Sequence, residues 1–347
     1  MSFGQKEWQP WVVDDQDEVD NLLKGAYDRG LNTWDTANGY SNGASEVMIG
    51  NTIKKHNIPR HKLVLLTKCF GLVGEEPSIM HMKHSEQMKQ SKDYVNQGGL
   101  SRTAIFNAVD ASLKRLQTDY IDILQIHRYD DTVRPEETMK ALHDLVESGK
   151  VRYIGAYTLT PAGSSWKKSP LIPGTGASSM WAYQFAKLQT IAEVRGWTQF
   201  VSMQNHYSLC YREEEREMNK YCHETGVGLI PWSPLYRGLL ARPLDAETTV
   251  REEASKGGPH DVKAGSFKDS PDAAIISRVE ELAGKKGWKM SHIALAWIIQ
   301  KGTIPIVGLS NLQRLEEATA VRGKTLTEEE IKYLEEPYQP KAISGHF

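Results

Sequence analysis

Four polar residues in the first 127 positions carry the side chains that acid–base chemistry on a carbonyl group needs: Asp35, Tyr40, Lys68 and His127. Three of them end an apolar run that is typical of a β-strand, and Tyr40 lies shortly beyond one. If these runs are parallel strands of one barrel, all four side chains meet at its carboxyl-end mouth, where barrel enzymes carry out their chemistry. The free phenol of tyrosine has a pKa near ~10. A nearby lysine favours the phenolate and so lowers this pKa, which makes the tyrosine a better proton donor.

Each of the four residues also has a purely structural explanation. Asp35 can cap the end of a strand, and Tyr40 can be an aromatic residue of a loop. Lys68 can be a surface cation, and His127 can be a core histidine whose hydrogen bonds are satisfied. Their occurrence together, in this order along successive strands, favours the catalytic interpretation.

Short β-rich runs alternate with amphipathic helical stretches along the chain. The runs are Leu31–Ala37, Leu63–Cys69, Ile121–His127, Val151–Ala156, Phe200–Asn205, Val227–Pro234 and Pro305–Ser310. Helical patterns lie at Asp15–Arg29, Ser45–Lys55, Arg102–Leu116, Pro135–Ser148, Met180–Arg195, Glu213–Thr225, Pro271–Lys286, His292–Gln300 and Leu312–Ala320. This alternation predicts a parallel sheet covered by helices, and its many repeats favour an α/β (β/α)8 TIM barrel that forms one domain over residues 1–347. No Gly-x-Gly-x-x-Gly turn follows an early strand, which argues against a Rossmann domain.

The strand-like runs number seven, one fewer than a closed eight-stranded barrel needs. The segment Met1–Val13 precedes the first helical pattern but is a poor strand. Either it is a degenerate strand, or the chain begins inside its fold and lacks its first strand and an N-terminal hairpin. A parallel barrel one strand short has a seam of unpaired backbone groups, which would destabilise it.

Composition excludes several classes of partner. The net charge is −2, and no basic stripe of the kind that binds nucleic acid is present. No apolar run reaches the roughly 18 residues of a membrane span, and the N-terminus has no apolar segment of a secretory signal. Three widely spaced cysteines, Cys69, Cys210 and Cys222, suit reduced thiols of a cytoplasmic protein better than a disulfide frame or a metal site.

Six short motifs in a fixed order give the chain a resemblance to a known family. They are Asp35-Thr-Ala-Asn-Gly-Tyr40-Ser, Thr67-Lys68, Gln125-Ile-His127, Ser202-Met-Gln-Asn205, Pro231-Trp-Ser-Pro-Leu235 and Pro305-Ile-Val-Gly-Leu-Ser310. From about Ser2 to His346, the chain resembles the aldo-keto reductases, in particular fungal members similar to versiconal hemiacetal acetate reductase. This resemblance implies a (β/α)8 barrel that reduces an aldehyde or ketone with NADPH, without metal or flavin.

The resemblance also implies a role for each matching residue. Tyr40 would protonate the carbonyl oxygen, Lys68, held by Asp35, would lower the pKa of the phenol, and His127 would orient the substrate. For the cofactor, Ser178 and Gln204 would bind the carboxamide, and Trp232 would stack on the nicotinamide. Ser233 and Leu235 would surround the pyrophosphate. The adenosine end would be held by Gly308, Ser310, Arg314 and Glu317. Arg314 would pair with the 2′-phosphate, which favours NADPH over NADH. Its structural alternative is a solvated charge on a helix.

The segment Tyr157–Ala177 departs from the family pattern. These 21 residues include three prolines and three glycines, whereas connections in such units are usually about 2–6 residues long. Removing them restores the family motif, so we interpret them as translated intron or a recent insertion. The segment displaces Ser178 from the end of its strand, which leaves the position of that serine open.

The sequence leaves several functional questions open. The expected substrate is a small-molecule carbonyl compound of fungal secondary metabolism, and neither one particular compound nor one oligomeric state is predicted. The alternatives are a regulatory barrel that binds cofactor without catalysis and an inactive product of a faulty gene model. The long loop Phe70–Leu100 and the aromatic residues Trp8 and Trp11 can shape a substrate pocket or simply pack against the barrel.

Overall fold

The computed structural model describes residues 1–80, 84, 87–88, 90–157, 180–247, 249–254 and 270–343. These residues form two compact units: the first contains residues 1–157 and 180–202, and the second contains residues 203–343 with the gaps just given. The interpreted insertion at 157–177 lies outside the described residues, except for Tyr157, whose backbone ends a strand.

The first unit is built on parallel strands whose order in the sheet follows the chain. They are β1 (Thr33–Asp35), β2 (Val64–Cys69), β3 (Ile121–Ile126) and β4 (Val151–Tyr157), followed by β5 (Phe200–Gln204), which runs on into the second unit. Leu66 pairs with Ile123, and Ile123 pairs with Tyr153. Buried aliphatic residues such as Leu65, Leu124 and Ile154 fill these strands, as expected where helices cover a parallel sheet.

Helices connect the strands of the first unit. They are α1 (Gln16–Asp28), α2 (Ala44–Lys55), α3 (Arg102–Leu116), α4 (Pro135–Glu147) and α5 (Ala182–Arg195). In α1 the buried residues Val19, Leu22, Leu23 and Ala26 have the spacing of one helical face. Asp15 begins this helix, because its side chain accepts a hydrogen bond from the backbone N–H of Glu18 at 2.9 Å.

The second unit contains β6 (Gly228–Leu229) beside β5, joined by the backbone hydrogen bond from Ile230 N to Met203 O. Its helices are α6 (Met218–Thr225), α7 (Val250–Glu253), α8 (Pro271–Lys286), α9 (Met290–Gln300), α10 (Leu312–Thr319) and α11 (Glu328–Glu335). Helices α8 and α9 supply most of its apolar core, including Ile276, Val279 and the fully buried Trp297.

Most helices and strands lie within a few residues of the sequence-based bounds, but one predicted strand is largely absent, and the helices α7 and α11 were not predicted. The predicted run Pro305–Ser310 contains only one bridge, between Ile306 and Trp232, so the expectation of a full strand there is wrong. Backbone pairing is confined to the start of the run, where Ile304 N donates to Leu229 O and Ile306 N donates to Pro231 O. Helix α11 was not predicted, although Thr327 and Glu330 form a capping box at its start.

The N-terminal segment makes a local turn. Phe3 pairs with Val13 in a single bridge, and Gly4 N donates to Val13 O at 3.0 Å. The predicted lack of a first strand stays a prediction. Among the described residues, no helix combines the length and the apolar character needed to span a membrane.

Candidate active site

The carboxyl ends of β1 and β2 bring Asp35 and Lys68 together. Lys68 Nζ donates to Asp35 Oδ2 at 2.6 Å and to the carbonyl oxygen of Thr36 at 2.8 Å. The side chain of Lys68 is fully buried, with 0% exposure, and that of Asp35 is 8% exposed. Transfer of an ammonium from water to the interior is costly, and the hydrogen bonds to this carboxylate and carbonyl offset that cost.

Gln125 on β3 completes the bonding of the aspartate. Its Nε2 donates to Asp35 Oδ1 at 3.0 Å, so each carboxylate oxygen has its own donor. Gln125 is the register partner of Lys68, which explains why both side chains point to the same face. Sequence analysis assigned no role to Gln125, although its position two residues before His127 places it on the same face of β3.

Tyr40 lies in a tight turn between β1 and α2. The turn contains three successive residues with positive φ: Ser41 (48°), Asn42 (50°) and Gly43 (88°). A Cβ on Gly43 would lie 2.5 Å from the side chain of Arg115, so only glycine fits there. Beyond the turn, the buried Glu46 accepts hydrogen bonds from Thr67 and Arg115, which ties the start of α2 to the strand that carries Lys68.

The rings of Tyr40 and His127 lie edge to face. Their centroids are 5.8 Å apart with an interplanar angle of 81°. The Nζ of Lys68 lies 5.2 Å from the centroid of the Tyr40 ring. Both rings are buried, with 7% exposure for Tyr40 and 8% for His127. The first unit therefore brings together all four residues that the sequence predicted to converge.

An aromatic wall continues from Tyr40 toward the N-terminus. The ring of Trp8 lies 6.5 Å from that of Tyr40, and the ring of Trp11 lies 6.4 Å from that of Trp8. Both tryptophans are half-buried. Flat apolar surface therefore lies directly beside the phenol of Tyr40.

Two predicted cofactor residues, Gln204 and Trp232, lie in the second unit. Gln204 is buried at the end of β5, and Trp232 is half-buried. His206 stacks on Trp232 with ring centroids 4.2 Å apart and on Tyr211 with centroids 4.3 Å apart. One face of the Trp232 indole is thus supported by a buried stack of rings.

The loop after Trp232 has an unusual backbone. Ser233, Tyr236, Arg237 and Gly238 all have positive φ, between 45° and 99°. These left-handed residues close two tight turns, in which Tyr236 N donates to Ser233 O at 2.9 Å and Gly238 N donates to Leu235 O at 2.8 Å. Leu235 is half-buried in the same loop.

Arg251 of the second unit lies within electrostatic reach of two other arginines, Arg237 and Arg314. Loss of hydration, and secondarily the charge of Arg251, lowers the pKa of Arg237 to about 10. Loss of hydration also lowers the pKa of Arg251, with the charge of Arg314 as the second cause, although Arg251 lies at the surface by exposed area. Mutual repulsion of this kind is relieved by a bound anion. Sequence analysis named only Arg314, because Arg251 lies on the short helix α7, far from the family motifs.

The other predicted adenosine residues differ in their surroundings. Arg314 Nη1 donates to Ser310 Oγ at 2.9 Å at the start of α10, and Gly308 is exposed. Glu317 forms an ion pair with Lys289, so its carboxylate has a cationic partner within the protein. Ser178 lies outside the described residues.

Comparison with known proteins agrees with this arrangement. The sequence profile of the Aldo/keto reductase family matches residues 1–162 and 171–339. The chain belongs to the aldo-keto reductase family. The profile is interrupted at residues 163–170, inside the segment that the sequence singles out as an insertion.

Fungal aldo-keto reductases with similar sequences cover nearly the whole chain. An aldo-keto reductase of Fusarium vanettenii is 52% identical over 351 residues, which cover 100% of this chain and 88% of the relative. Versiconal hemiacetal acetate reductase of Aspergillus parasiticus is 47% identical over 344 residues, covering 99% and 93%. A Schizosaccharomyces pombe protein named for aryl-alcohol dehydrogenase activity is 49% identical over 350 residues, covering 99% of both chains. The chain is accordingly an oxidoreductase that acts on carbonyl groups.

Proposed function

We propose that this aldo-keto reductase uses NADPH to reduce an aldehyde or ketone to an alcohol, with Tyr40 as the proton donor. The observation that carries the proposal is the buried ammonium of Lys68, held by Asp35 and placed 5.2 Å from the centre of the Tyr40 ring. A charge in a desolvated site acts on its neighbours far more strongly than it would in water. It therefore stabilises the phenolate that remains after Tyr40 gives up its proton.

The roles of the four residues follow from this geometry. Tyr40 Oη donates its proton to the carbonyl oxygen, and His127, edge-on to the phenol, orients that oxygen by hydrogen bonding. Lys68 stabilises the phenolate. Asp35 and Gln125 hold Lys68 in the one position from which it can act. When bound, the reduced dinucleotide supplies hydride to the carbonyl carbon, which balances the proton from Tyr40.

The cofactor residues of the second unit have the chemistry that a phosphorylated dinucleotide needs. Trp232 offers a flat face backed by His206, and Gln204 can bond a carboxamide. Ser178, Ser233, Leu235 and Gly308 complete the proposed set, with Ser310 and Glu317 at the adenosine end. The three arginines Arg237, Arg251 and Arg314 provide positive charge for phosphate groups, which supports NADPH over NADH.

The aromatic wall beside Tyr40 supports an aryl carbonyl compound as substrate. Trp8 presents a half-buried ring next to the proposed proton donor, and Trp11 lies beside Trp8; aromatic rings of this kind can contact a flat aromatic group. The S. pombe relative named for aryl-alcohol dehydrogenase activity supports the same substrate class, and the A. parasiticus relative is named as a reductase of versiconal hemiacetal acetate. We place the reaction in fungal secondary metabolism on this basis.

Two further features complete the proposal. We propose that the whole chain forms one cytosolic (β/α)8 barrel domain, with residues 157–177 as an insertion. The parallel strands with sequential order support the barrel, and three buried free thiols support a reducing compartment.

Oxidation of NADPH with a panel of aromatic and aliphatic aldehydes tests the function. The wild-type chain is expected to turn over, and Tyr40→Phe is expected to lose at least about a hundredfold in kcat because general acid catalysis contributes that much. NADPH binding should stay unchanged, since the ring is kept. Normal kcat in Tyr40→Phe would show that the assignment is wrong, and NADPH binding without turnover in wild type would favour the regulatory alternative.

A further inference from the structure

Asn42 connects the Tyr40 turn to the loop that follows Lys68. Its Nδ2 donates to the carbonyl oxygens of Ile79 at 2.6 Å and Glu76 at 2.9 Å, and its Oδ1 accepts from the N–H of Gly74 at 3.0 Å. One side chain thus binds three backbone groups of residues 74–79. All of its contacts are to the main chain, so they hold the position of the loop whatever side chains the loop carries.

The backbone of Asn42 suits this task. Its φ is 50°, and asparagine adopts this left-handed conformation at lower cost than most residues because its short polar side chain bonds nearby backbone. Tyr40 lies two positions earlier in the same turn. The hydrogen bonds of Asn42 therefore attach the loop to the same turn that carries the residue that we propose donates the proton.

Close packing supports the contact from the loop side. A Cβ on Gly74 would lie 2.9 Å from Ile79 and 3.0 Å from Asn42 Nδ2, so the loop backbone approaches Asn42 as closely as a glycine permits. Asn38, on the other side of Tyr40, donates from its Nδ2 to Gly71 O at 3.3 Å. The loop therefore contacts residues on both sides of the tyrosine.

The far end of the same loop is held beside His127. Asp130 Oδ2 accepts a hydrogen bond from Leu100 N at 2.8 Å, and Oδ1 of the same carboxylate accepts from Thr132. Asp130 lies three positions after His127. Each proposed catalytic residue, Tyr40 and His127, is thus followed within three residues by a side chain that binds an end of the 70–100 loop.

We infer that Asn42 and Asp130 are positioning residues, which fix the two described ends of the 70–100 loop relative to Tyr40 and His127 and so make residues 74–79 a wall of the carbonyl site. This rests on the proposed function. A wall fixed to the proton donor selects substrates by size and shape. If residues 74–79 become less firmly held, the enzyme should discriminate less well between carbonyl compounds, whereas the rate of proton transfer should change by a smaller factor.

Hydrogen–deuterium exchange tests whether Asn42 fixes the position of the loop, and this measurement does not require enzyme activity. Asn42→Gly keeps the left-handed backbone but removes all three hydrogen bonds, so exchange in peptides that cover residues 70–80 should accelerate about tenfold or more. Asn57→Gly is the matched control, because Asn57 is an exposed asparagine with φ 48° at the end of α2. It should leave exchange at 70–80 unchanged. Equal exchange in wild type and Asn42→Gly overturns the inference.

Kinetics then separate positioning from a merely structural role. In Asn42→Gly and Asp130→Ala, KM for small and large aldehydes should converge, with a rise of about fivefold or more for the preferred substrate, whereas kcat changes by less. Asp130→Asn keeps an oxygen acceptor for Leu100 N and should restore most of the selectivity. An unchanged ratio of KM values in both variants contradicts the inference. Failure of the wild type to reduce any carbonyl compound would reject the proposed function instead. The exchange result would still show whether Asn42 fixes the position of residues 74–79.

Discussion

The ammonium of Lys68 lies 2.6 Å from the carboxylate of Asp35, with the lysine side chain entirely shielded from solvent. The pair joins the ends of two neighbouring parallel strands, and Gln125 on a third strand donates to the other carboxylate oxygen. Such a pair adds little net stability, because desolvation offsets the attraction between the charges. Its retention at the carboxyl ends of the strands is better explained by the charge that it places beside Tyr40.

Removal of one partner of this pair should destabilise the protein strongly. Lys68→Met leaves the carboxylate of Asp35 buried without its cation, and breaking a buried pair costs about 3–5 kcal/mol. The free energy of unfolding from urea titration measures this loss. The double variant Lys68→Met with Asp35→Leu removes both charges and should recover a large part of it. If the single and the double variant are equally unstable, the charge pair does not account for the loss.

The stack behind Trp232 leads to a prediction about cofactor affinity. His206→Ala removes the ring that lies 4.2 Å from the indole, so Trp232 loses support on one face and its orientation becomes less defined. Aromatic pairs contribute about 0.5–1.5 kcal/mol, so the Kd for NADPH should rise about threefold to tenfold. Calorimetric titration measures it. His143→Ala is the control, because His143 stacks on Trp197 in the first unit. The Kd of this variant for NADPH should equal that of the wild type.

The convergence of Asp35, Lys68 and His127 was predictable because it depends only on strand direction. Parallel strands in sequential order place their last residues at one edge, and polar residues at the ends of apolar runs identify that edge. The register between β2 and β3, which the sequence did not predict, makes Lys68 and Gln125 direct neighbours. Because side chains alternate between the two faces of a strand, Gln125 would have been predicted to lie on the same face as His127, two residues later.

Other parts of the site gave no signal in the sequence. Asn42 binds main-chain groups of residues 74–79, and backbone acceptors look the same whatever the side chains are. Arg251 reaches the vicinity of Arg314 from a helix of four residues with no motif of its own. The predicted strand at Pro305–Ser310 was wrong in its length, because backbone pairing with the neighbouring segment ends at Ile306 and a β-rich composition does not show where pairing stops.

Acid should weaken the contact between α1 and α2. Asp20 is buried, and its burial opposes ionisation, but hydrogen bonds from Lys55, Thr52 and Gln16 outweigh that effect and lower its pKa below 3.8. The stability that these bonds contribute is present above the unfolded pKa and is lost as the pH falls through the lower folded value. The free energy of unfolding should therefore decline below about pH 4.

Two substitutions test the part played by Asp20. Asp20→Asn should cost about 2 kcal/mol at neutral pH and flatten the acid decline, because a buried charged acceptor is lost. Asp17→Asn is the control: Asp17 pairs with the same Lys55 but its side chain is 81% exposed, and exposed pairs contribute little. Chemical unfolding at several pH values compares them. An equally steep acid decline in Asp20→Asn would assign the effect to other carboxylates.

The arginines of the second unit predict how the enzyme chooses between its two possible dinucleotides. Arg314→Gln removes the guanidinium that donates to Ser310 at the start of α10, where the helix dipole also favours an anion. A hydrogen bond to a charged group is worth about 1.5–3 kcal/mol, so the ratio of kcat/KM for NADPH to that for NADH should fall about tenfold to hundredfold. Most of the fall should come from NADPH, because only NADPH has the 2′-phosphate. Arg195→Gln, at an exposed arginine that ends α5, should leave the ratio unchanged. A preference for NADPH that survives in Arg314→Gln would instead assign the phosphate to Arg237 and Arg251, whose pKa values are lowered by loss of hydration and secondarily by a neighbouring arginine charge.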